Sequence, residues 1–199
     1  MNFIKNNLAN MFTLGNLFSG SVGAIHLVLG DYQTTAICII ISLVLDFFDG
    51  FVARLTKTNS NLGIQLDSLA DMVSFGLVPG LAMYKLLEPF GNQILDISLP
   101  FNIQYLGLFI TLFSCLRLAI FNLDDEQKYY FKGLNTPSNT ILIFGLMYAF
   151  YENQFLATFI QNPIFLLLLT ALSSWLLVSP IKMIAMKFKS MKIEDNIPK

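Results

Sequence analysis

The most informative stretch of the sequence runs from Asp46 to Asp71 and reads DFFDGFVARLTKTNSNLGIQLDSLAD. It carries four aspartates, and the chain on either side of it is apolar enough to span a membrane. An ionised carboxylate is costly near hydrocarbon, so acids within membrane segments usually serve a function. The four aspartates are therefore the first candidates for a functional site.

The composition of the whole chain indicates a membrane protein. Its 199 residues are 55% hydrophobic and only 13% charged, whereas soluble domains average about 25% charged residues. The net charge of −1 says little about partners, but the sequence has no basic patch or nucleic-acid motif, so we expect no nucleic-acid partner. Cys38 and Cys115 both fall in apolar segments, so we expect buried hydrophobic side chains, and neither a disulfide nor a metal site.

A helix needs about 20 predominantly apolar residues to cross a bilayer. We predict six such spans, at about residues 16–29, 33–54, 66–87, 103–121, 138–151 and 163–185. The opening segment 1–15 is polar and amphipathic, so we expect it to lie along the membrane surface before the first span. The sequence therefore predicts an all-α polytopic membrane bundle, with 1–199 forming a single domain.

The distribution of Lys and Arg predicts the orientation, because these residues concentrate in cytoplasmic segments. With six spans and a cytoplasmic N-terminus, Lys85 alone among the 12 basic residues falls outside, and Arg117 lies within the fourth span. The remaining ten fall inside: Lys5, Arg54, Lys57, Lys128, Lys132, Lys182, Lys187, Lys189, Lys192 and Lys199. Both termini, including a basic tail at 186–199, are thus expected on the cytoplasmic side of the cell's inner membrane.

The spacing of the acids predicts that they face one another. Asp46 and Asp49 are spaced i, i+3, about 60° apart around a helix, while Gly63, Asp67 and Asp71 are spaced i, i+4 and form one stripe. The predicted orientation places all four acids at the cytoplasmic ends of the second and third spans. Burial costs less there than at the centre of the membrane.

Four carboxylates at one depth would repel one another unless something neutralises them. Oxygen-rich clusters suit hard cations such as Mg²⁺, Mn²⁺ or Ca²⁺, and two cations could clamp a phosphate or pyrophosphate. Two alternatives stay open at this point. The acids could form a buried salt network with Arg54, Lys57 and Arg117, or they could line a cation path in a transporter.

The full spacing reads Asp46-x2-Asp49-Gly50-x2-Ala53-Arg54-x8-Gly63-x3-Asp67-x3-Asp71. At average residue frequencies, eight fixed positions match by chance on the order of 10⁻¹⁰ per starting residue. The pattern resembles the signature of the CDP-alcohol phosphatidyltransferase family at every position. The resemblance implies integral membrane enzymes that join a phosphatidyl-type group to an alcohol and release CMP. It also implies two divalent cations (Mg²⁺ or Mn²⁺) and a homodimer.

The resemblance further implies roles for individual residues. Asp46, Asp49, Asp67 and Asp71 would be metal ligands. The first three would also face the CDP moiety, and Asp71 would be the general base. The nucleotide and its phosphates would be bound by a second set, which comprises Gly50, Ala53, Arg54, Gly63 and the N-terminal residues Thr13 and Asn16.

Three other runs resemble the phosphatidylserine synthase branch of this family: LDSLADMVSFGLVPG (66–80), CLRLAIFNL (115–123) and FKGLNTPSN (131–139). Ile120 and Asn135 depart from that branch, which often has Arg and Pro there. The resemblance implies CDP-diacylglycerol and L-serine as substrates. The residues expected to bind the acceptor are Arg117, Asn122, Thr136, Asn139 and Ser74, with helix capping, packing or ion pairing as the alternative. Glycerol 3-phosphate, inositol and an archaetidylserine-type product remain open.

Overall fold

The protein is described here by a computed structural model that covers residues 2–56, 60–94, 97–124, 131–153 and 160–183. Its helices are α1 (Asn2–Val28), α2 (Tyr32–Thr56), α3 (Asn61–Asp71), α4 (Val78–Leu87), α5 (Phe109–Leu123), α6 (Thr136–Glu152) and α7 (Pro163–Val178). A π-helical segment, Met72–Leu77, joins α3 to α4, and 3-10 turns at Glu88–Phe90 and Ile103–Leu108 follow α4 and precede α5. We call the continuous segment 61–90 the central helix.

Two short antiparallel strand pairs connect the helices. Strands β1 (Gln93–Ile94) and β2 (Ile97–Ser98) form a hairpin between the central helix and α5. Strands β3 (Phe131–Lys132) and β4 (Lys182–Met183) tie the chain before α6 to the chain after α7.

Four of the helical segments are long and apolar enough to cross a membrane: Asn7–Val28, Tyr32–Thr56, Asn61–Phe90 and Ile103–Leu123. The prediction of an all-α membrane bundle is confirmed. Helices α6 and α7 have 17 and 16 residues, or about 25 Å of helix, which is slightly less than the roughly 30 Å hydrocarbon layer. The predicted number of six spans and the orientation stay predictions.

The last helix ends earlier than the sequence suggested. We predicted a span over 163–185, but α7 ends at Val178 and the chain continues in extended conformation. Pro180 explains the end, because proline disfavours helical geometry at the residue before it, and Ser179 has ψ 147. Lys57, Lys128 and the predicted basic tail 186–199 lie outside the described residues.

The first helix begins earlier than the predicted first span. Helix α1 runs from Asn2 to Val28 without a break near residue 16. Thr13 and Asn16, which made the opening segment look polar, are 3% and 0% exposed. Their polarity reflects contacts inside the bundle, so it did not mark the boundary of a helix.

The connection between α1 and α2 explains why these helices run antiparallel. Gly30 adopts φ 82, a left-handed conformation that glycine reaches without strain. Asp31 then caps α2, since its Oδ1 accepts a hydrogen bond from Thr34 N at 3.0 Å. Hydrogen bonds from the side chain and backbone of Thr34 lower the pKa of the Asp31 carboxyl below its ordinary value. His26, whose Nδ1 lies 3.0 Å from Asp31 Oδ2, lowers this pKa further.

The bundle has an apolar half and a polar half. We call its two ends the Lys85 end and the aspartate end, after Lys85 on α4 and the four acids. The buried hydrophobic cluster includes Leu27, Ile39, Met83, Ile110 and Met147, all in the parts of their helices nearer the Lys85 end. Buried polar side chains concentrate toward the aspartate end. The apolar half therefore fixes the helices, and the polar half is left for binding.

The central helix changes geometry directly after Asp71. Pro79 has no N–H, so it cannot donate to a carbonyl in the preceding turn. Hydroxyl groups from neighbouring helices bond to carbonyls of this turn: Thr140 Oγ1 donates to Phe75 O, and Thr111 Oγ1 to Gly76 O, each at 3.1 Å. Helices α5 and α6 are thereby connected to the turn that follows the fourth acid.

Close approach at one glycine holds α1 against the central helix. A Cβ atom built on Gly20 would lie 2.1 Å from Ser74 Oγ and 2.8 Å from Ser74 Cα. Because the second contact is with backbone, a side-chain rotation cannot relieve it. Small residues at such crossings let membrane helices pack closely.

We predict that Gly20→Ala destabilises the protein, although alanine is the better helix former by about 1 kcal/mol. Overpacking typically costs roughly 1–3 kcal/mol, and we expect it to outweigh propensity here. The matched control is Gly145→Ala on α6, where an added Cβ meets nothing within 4 Å. Thermal unfolding in detergent should show a lower midpoint for the first variant only. Equal midpoints would contradict the close packing of α1.

The orientation can be tested by labelling cysteines in cells. In a Cys38→Ala/Cys115→Ala background, we place one cysteine at exposed Gln93 in the β-hairpin or at exposed Asn61 at the start of α3. A membrane-impermeant maleimide should label Gln93→Cys in intact cells and Asn61→Cys only after permeabilisation, because Lys85 and Gln93 share the end that is poor in basic residues. The opposite pattern would reverse the orientation.

Candidate active site

Three of the four aspartates form a compact set between α2 and α3. One carboxylate oxygen of each of Asp46, Asp49 and Asp67 lies within 4.8 Å of the other two. Asp46 and Asp49 lie in the second half of α2, and Asp67 lies in α3. Asp49 is buried, and Asp46 and Asp67 are half-buried. The two helices therefore bring the three acids together, and two of the acids are partly accessible.

Asp71 is the second buried acid, at 9% exposed against 6% for Asp49. Its side chain is buried at the end of α3 and accepts a hydrogen bond from Asn16 Nδ2 at 3.4 Å. It interacts electrostatically with Asp46, Asp49 and Asp67, but it is not a member of the compact set. Asp71 therefore interacts electrostatically with the three other acids without being part of the compact set.

Helix α1 supplies hydrogen-bond donors to the acids. Thr13 Oγ1 donates to Asp49 Oδ2 at 2.7 Å, and Asn16 donates to Asp71 as described above. The backbone carbonyl of Asn16 accepts from Ser42 Oγ at 3.3 Å and from Ser74 Oγ at 3.1 Å. Asn16 Oδ1 is buried and has no partner. Thr13 and Asn16, predicted to lie near a nucleotide, therefore lie directly against the acids.

The acids have no basic partner among the described residues. Neither Arg54 nor Arg117 places a nitrogen within 4.0 Å of any of the four carboxylates in the part of the chain that the structure covers. Both interact with them at longer range, Arg54 with Asp49 and Arg117 with Asp71. A salt network of these two arginines with the acids, one of the alternatives above, is not formed.

The small residues of the predicted motif lie beside the acids. A Cβ on Gly50 would lie 3.4 Å from Arg54 Nη1, so the exposed Arg54 side chain folds back over Gly50. A Cβ on Gly63 would meet Ser60 Oγ at 3.2 Å and Asn10 Oδ1 at 3.4 Å. Ala53 is half-buried one turn after Asp49 and Gly50.

A second polar group lies between α5, α6 and α7. Arg117 Nη1 donates to Thr136 Oγ1 at 3.4 Å, and Arg117 Cζ lies 5.6 Å from the centre of the Phe121 ring. Ser173 Oγ donates to Asn139 Oδ1 at 2.6 Å. Arg117 Nε and Asn139 Nδ2 are buried and have no protein partner. Unsatisfied buried donors are rare in folded proteins, so these two are candidates to bind a ligand.

The two remaining acceptor candidates make contacts between helices. Asn122 on α5 and Ser68 on α3 exchange hydrogen bonds of 3.0 and 3.2 Å. Ser74 donates to the backbone of α1 and contacts no acid through the hydrogen bonds described. The structure therefore places Arg117, Thr136 and Asn139 together and gives Asn122 and Ser74 packing contacts.

The serines of α7 were missed by the sequence reasoning. Ser173 is 1% exposed and Ser174 is 4% exposed. The hydroxyl of Ser174 has no hydrogen-bond partner, and neither has the buried hydroxyl of Ser114 on α5. The signal was present as two adjacent serines in the apolar run PIFLLLLTALSSWLLV. The partner of Ser173 lies on α6, and the sequence does not show which helices are neighbours.

The donor set fits a hard divalent cation. Such ions prefer carboxylate oxygens, and the compact set offers three, two of them from half-buried residues. Because no arginine neutralises the acids in the described part of the chain, a cation would supply the missing positive charge. Asp46, Asp49 and Asp67 are the residues that could hold it.

The fold and the site define an α-helical membrane protein with an acid cluster suited to binding metal. Comparison with known proteins agrees, because residues 6–186 match the family model described as CDP-alcohol phosphatidyltransferase. That match covers most of the 199 residues. The chain belongs to the CDP-alcohol phosphatidyltransferase family, and the resemblance seen in the motif is confirmed.

Individual relatives narrow the comparison. A CDP-diacylglycerol–serine O-phosphatidyltransferase from Helicobacter pylori is 36% identical over 139 residues, covering 67% of this chain and 54% of the relative. One from Bacillus subtilis is 29% identical and covers 89% of both chains. An archaetidylserine synthase from Methanothermobacter thermautotrophicus is 25% identical over 83% of this chain and 68% of its own. The chain spans about half the length of the Helicobacter relative.

We predict that Asp67→Asn weakens Mn²⁺ binding, because it removes one of three charged ligands from the compact set. The loss should be roughly tenfold or more, measured by titrating Mn²⁺ and following free ion by electron paramagnetic resonance. The control is Asp31→Asn, which changes an acid at the Lys85 end and should leave the affinity unaltered. An unchanged affinity in Asp67→Asn would exclude the compact set as the metal site.

Proposed function

We propose that this chain transfers the phosphatidyl group of CDP-diacylglycerol to the hydroxyl of L-serine, giving phosphatidylserine and CMP. The observation that carries the proposal is the compact acid set with the buried Arg117 and Asn139 donors toward the same end of the bundle. The names of relatives that are 29–36% identical agree with it. The family membership supplies the reaction class.

Asp46, Asp49 and Asp67 would hold the metal, and the family resemblance gives two ions, with Asp71 as a further ligand. Divalent cations bound there would offset the carboxylate charge and stabilise negative charge on the phosphate oxygens. Thr13 keeps Asp49 in place by donating to one of its oxygens. That bond orients the carboxylate before any substrate binds.

Asp71 is our candidate for the general base. It lies outside the compact set and interacts with Arg117, so it is the acid nearest the proposed acceptor. It would take the proton of the serine hydroxyl as the serine oxygen bonds to the phosphorus that carries diacylglycerol. The bond from that phosphorus to the oxygen of CMP breaks, and CMP leaves with the electron pair. The reaction is a direct displacement that needs no redox partner.

Arg117, Thr136 and Asn139 would bind the carboxylate of serine. Arginine and amide N–H groups are suitable donors to a carboxylate, and charge-assisted hydrogen bonds are about twice as strong as neutral ones. Both unpartnered donors are buried, so a bound carboxylate would satisfy them without competition from water. Asn122 and Ser74 contribute packing in this account.

The nucleotide would lie along the more exposed face of α2. Gly50, Ala53 and Gly63 leave little side chain beside the acids, and Arg54 extends from the same face with five donors suited to phosphate. Asn16 Oδ1, buried and unpartnered, is available to a ligand N–H or hydroxyl. The lipid tails would remain in the bilayer while serine and CMP exchange with the cytoplasm, and we expect a homodimer in the inner membrane.

A second candidate differs only in the lipid. The relative from Methanothermobacter is named for archaetidylserine, so an archaetidyl donor with the same serine acceptor is consistent with the comparison. In this proposal the polar site would bind the CDP head group, which the two donors share. A donor assay with both CDP-lipids distinguishes them.

The proposal is tested by CMP release from purified protein in detergent with CDP-diacylglycerol and Mn²⁺, with and without L-serine. We expect release that depends on serine and is abolished by chelation. Asp71→Asn should lower the rate by roughly 100-fold or more, since a general base typically contributes that much. Asp31→Asn serves as the control and should keep the wild-type rate.

Other results would redirect the proposal. Release that depends on glycerol 3-phosphate or inositol and not on serine would keep the reaction and change the acceptor. No release with any alcohol, from folded protein that binds Mn²⁺, would refute the transferase. Metal flux into vesicles without a nucleotide would then favour the transport alternative.

A further inference from the structure

The hydrogen bond between α6 and α7 constrains how Asn139 presents its amide. Ser173 Oγ donates to Asn139 Oδ1 at 2.6 Å, and the two residues are 1% and 0% exposed. An amide group has an oxygen that accepts and an NH₂ group that donates. With the hydroxyl bonded to the oxygen, the NH₂ group must point to the other side.

The NH₂ group on that other side has no partner. Asn139 Nδ2 is buried and makes no hydrogen bond to the protein. Leaving such a donor unsatisfied costs about 1–3 kcal/mol, and a rotation of the amide would exchange its two ends. In the orientation that the structure shows, Ser173 Oγ bonds to Oδ1, and Nδ2 is the end of the amide left free for a ligand.

The donor held in this way lies beside the proposed acceptor site. Asn139 follows Thr136 by one turn of α6, and the hydroxyl of Thr136 accepts from Arg117 Nη1. Arg117 Nε is the other buried donor without a partner in this region, and Arg117 interacts with Asp71. Arg117 therefore interacts with the candidate base at longer range, and Asn139 lies one turn of α6 from the threonine that Arg117 contacts.

We propose that Ser173 is a positioning residue for acceptor specificity: its hydroxyl holds the Asn139 amide so that Nδ2, together with Arg117, binds the carboxylate of the acceptor amino acid. The inference rests on the proposed function. It predicts that the enzyme distinguishes serine from amino alcohols that lack a carboxylate, and that this distinction depends on a residue that does not touch the substrate.

The test compares steady-state kinetics of the full chain in detergent. Ser173→Ala should raise KM for L-serine by about tenfold, which is the effect of losing one well-oriented hydrogen bond worth roughly 1.4 kcal/mol. The kcat and the KM for the CDP-lipid should stay within about twofold, because the acids are untouched. Ser173→Thr keeps the hydroxyl and should restore most of the affinity for serine.

A matched control and a second ligand separate positioning from a structural effect. Thr170→Val removes a buried hydroxyl one turn earlier on α7 that bonds only to Leu166 O of its own helix, and it should leave KM for serine unchanged. Serinol, which has a hydroxymethyl group in place of the carboxylate, is used as a competing acceptor. The inhibition constant of serinol should be the same for wild type and Ser173→Ala. Because KM for serine rises in the variant, the ratio between the affinities for serine and serinol should become smaller.

A double-mutant cycle completes the test. Asn139→Ala should raise KM for serine, and adding Ser173→Ala should have little further effect, because the serine acts through the amide. If Ser173→Ala does not fold, Ser173→Cys keeps the size with a weaker donor and should give an intermediate KM.

Three results would overturn the inference. They are an unchanged KM for serine in folded Ser173→Ala, an equal rise in the KM values of that variant for serine and for the CDP-lipid, and full additivity in the double-mutant cycle. These outcomes leave the proposed function intact as long as wild type uses serine. Wild-type protein that releases no CMP with serine would overturn both proposals.

Discussion

Four carboxylates lie close together at one end of a membrane bundle, and the rest of the structure must compensate their mutual repulsion. In the described part of the chain, no arginine nitrogen lies within 4.0 Å of them. Their charge is therefore moderated by hydrogen bonds from α1, by longer-range interactions with Arg54 and Arg117, and by whatever cation occupies the compact set. Removing one partner of a buried charge is usually more costly than removing an apolar contact, so these acids constrain the helices around them.

The apolar half of the bundle provides the rigidity that such a site needs. Helices α1 and α2 are joined by a short turn at Gly30 and Asp31, and they pack with the central helix through a buried cluster that lies toward the Lys85 end. Because this cluster contains most of the largest fully buried side chains, the polar half can contain unsatisfied donors without loosening the fold. The separation also places binding groups where water-soluble substrates could reach them.

The central helix links the two halves. It carries Asp67 and Asp71 in α3, changes to π-helical geometry over Met72–Leu77, and then enters the apolar cluster as α4. The hydroxyls of Thr111 and Thr140 bond to carbonyls of this turn, so α5 and α6 influence the orientation of the acids. The same two helices carry Arg117 and Asn139, so the residues of the proposed acceptor site lie on the helices that bond to the turn following Asp71.

The class of protein and its reactive groups could be predicted from the amino-acid sequence alone. Apolar segment lengths predicted the helices, most of them within a few residues, because a span is defined by local composition. The spacing from Asp46 to Asp71 predicted that acids from two helices converge, because helical periodicity fixes which residues share a face. The family followed from the same residues, and they were sufficient to name the four acids.

Which polar residues meet across helices depends on how the helices pack together. Thr13 bonds to Asp49 and Ser173 to Asn139 over 36 and 34 residues of sequence, and no local pattern encodes such pairs. For the same reason Thr13 and Asn16 were predicted only through the family resemblance, and the two serines of α7 were not predicted at all. Period and composition are properties of one helix, whereas the partner of a buried hydroxyl is set by how several helices pack together.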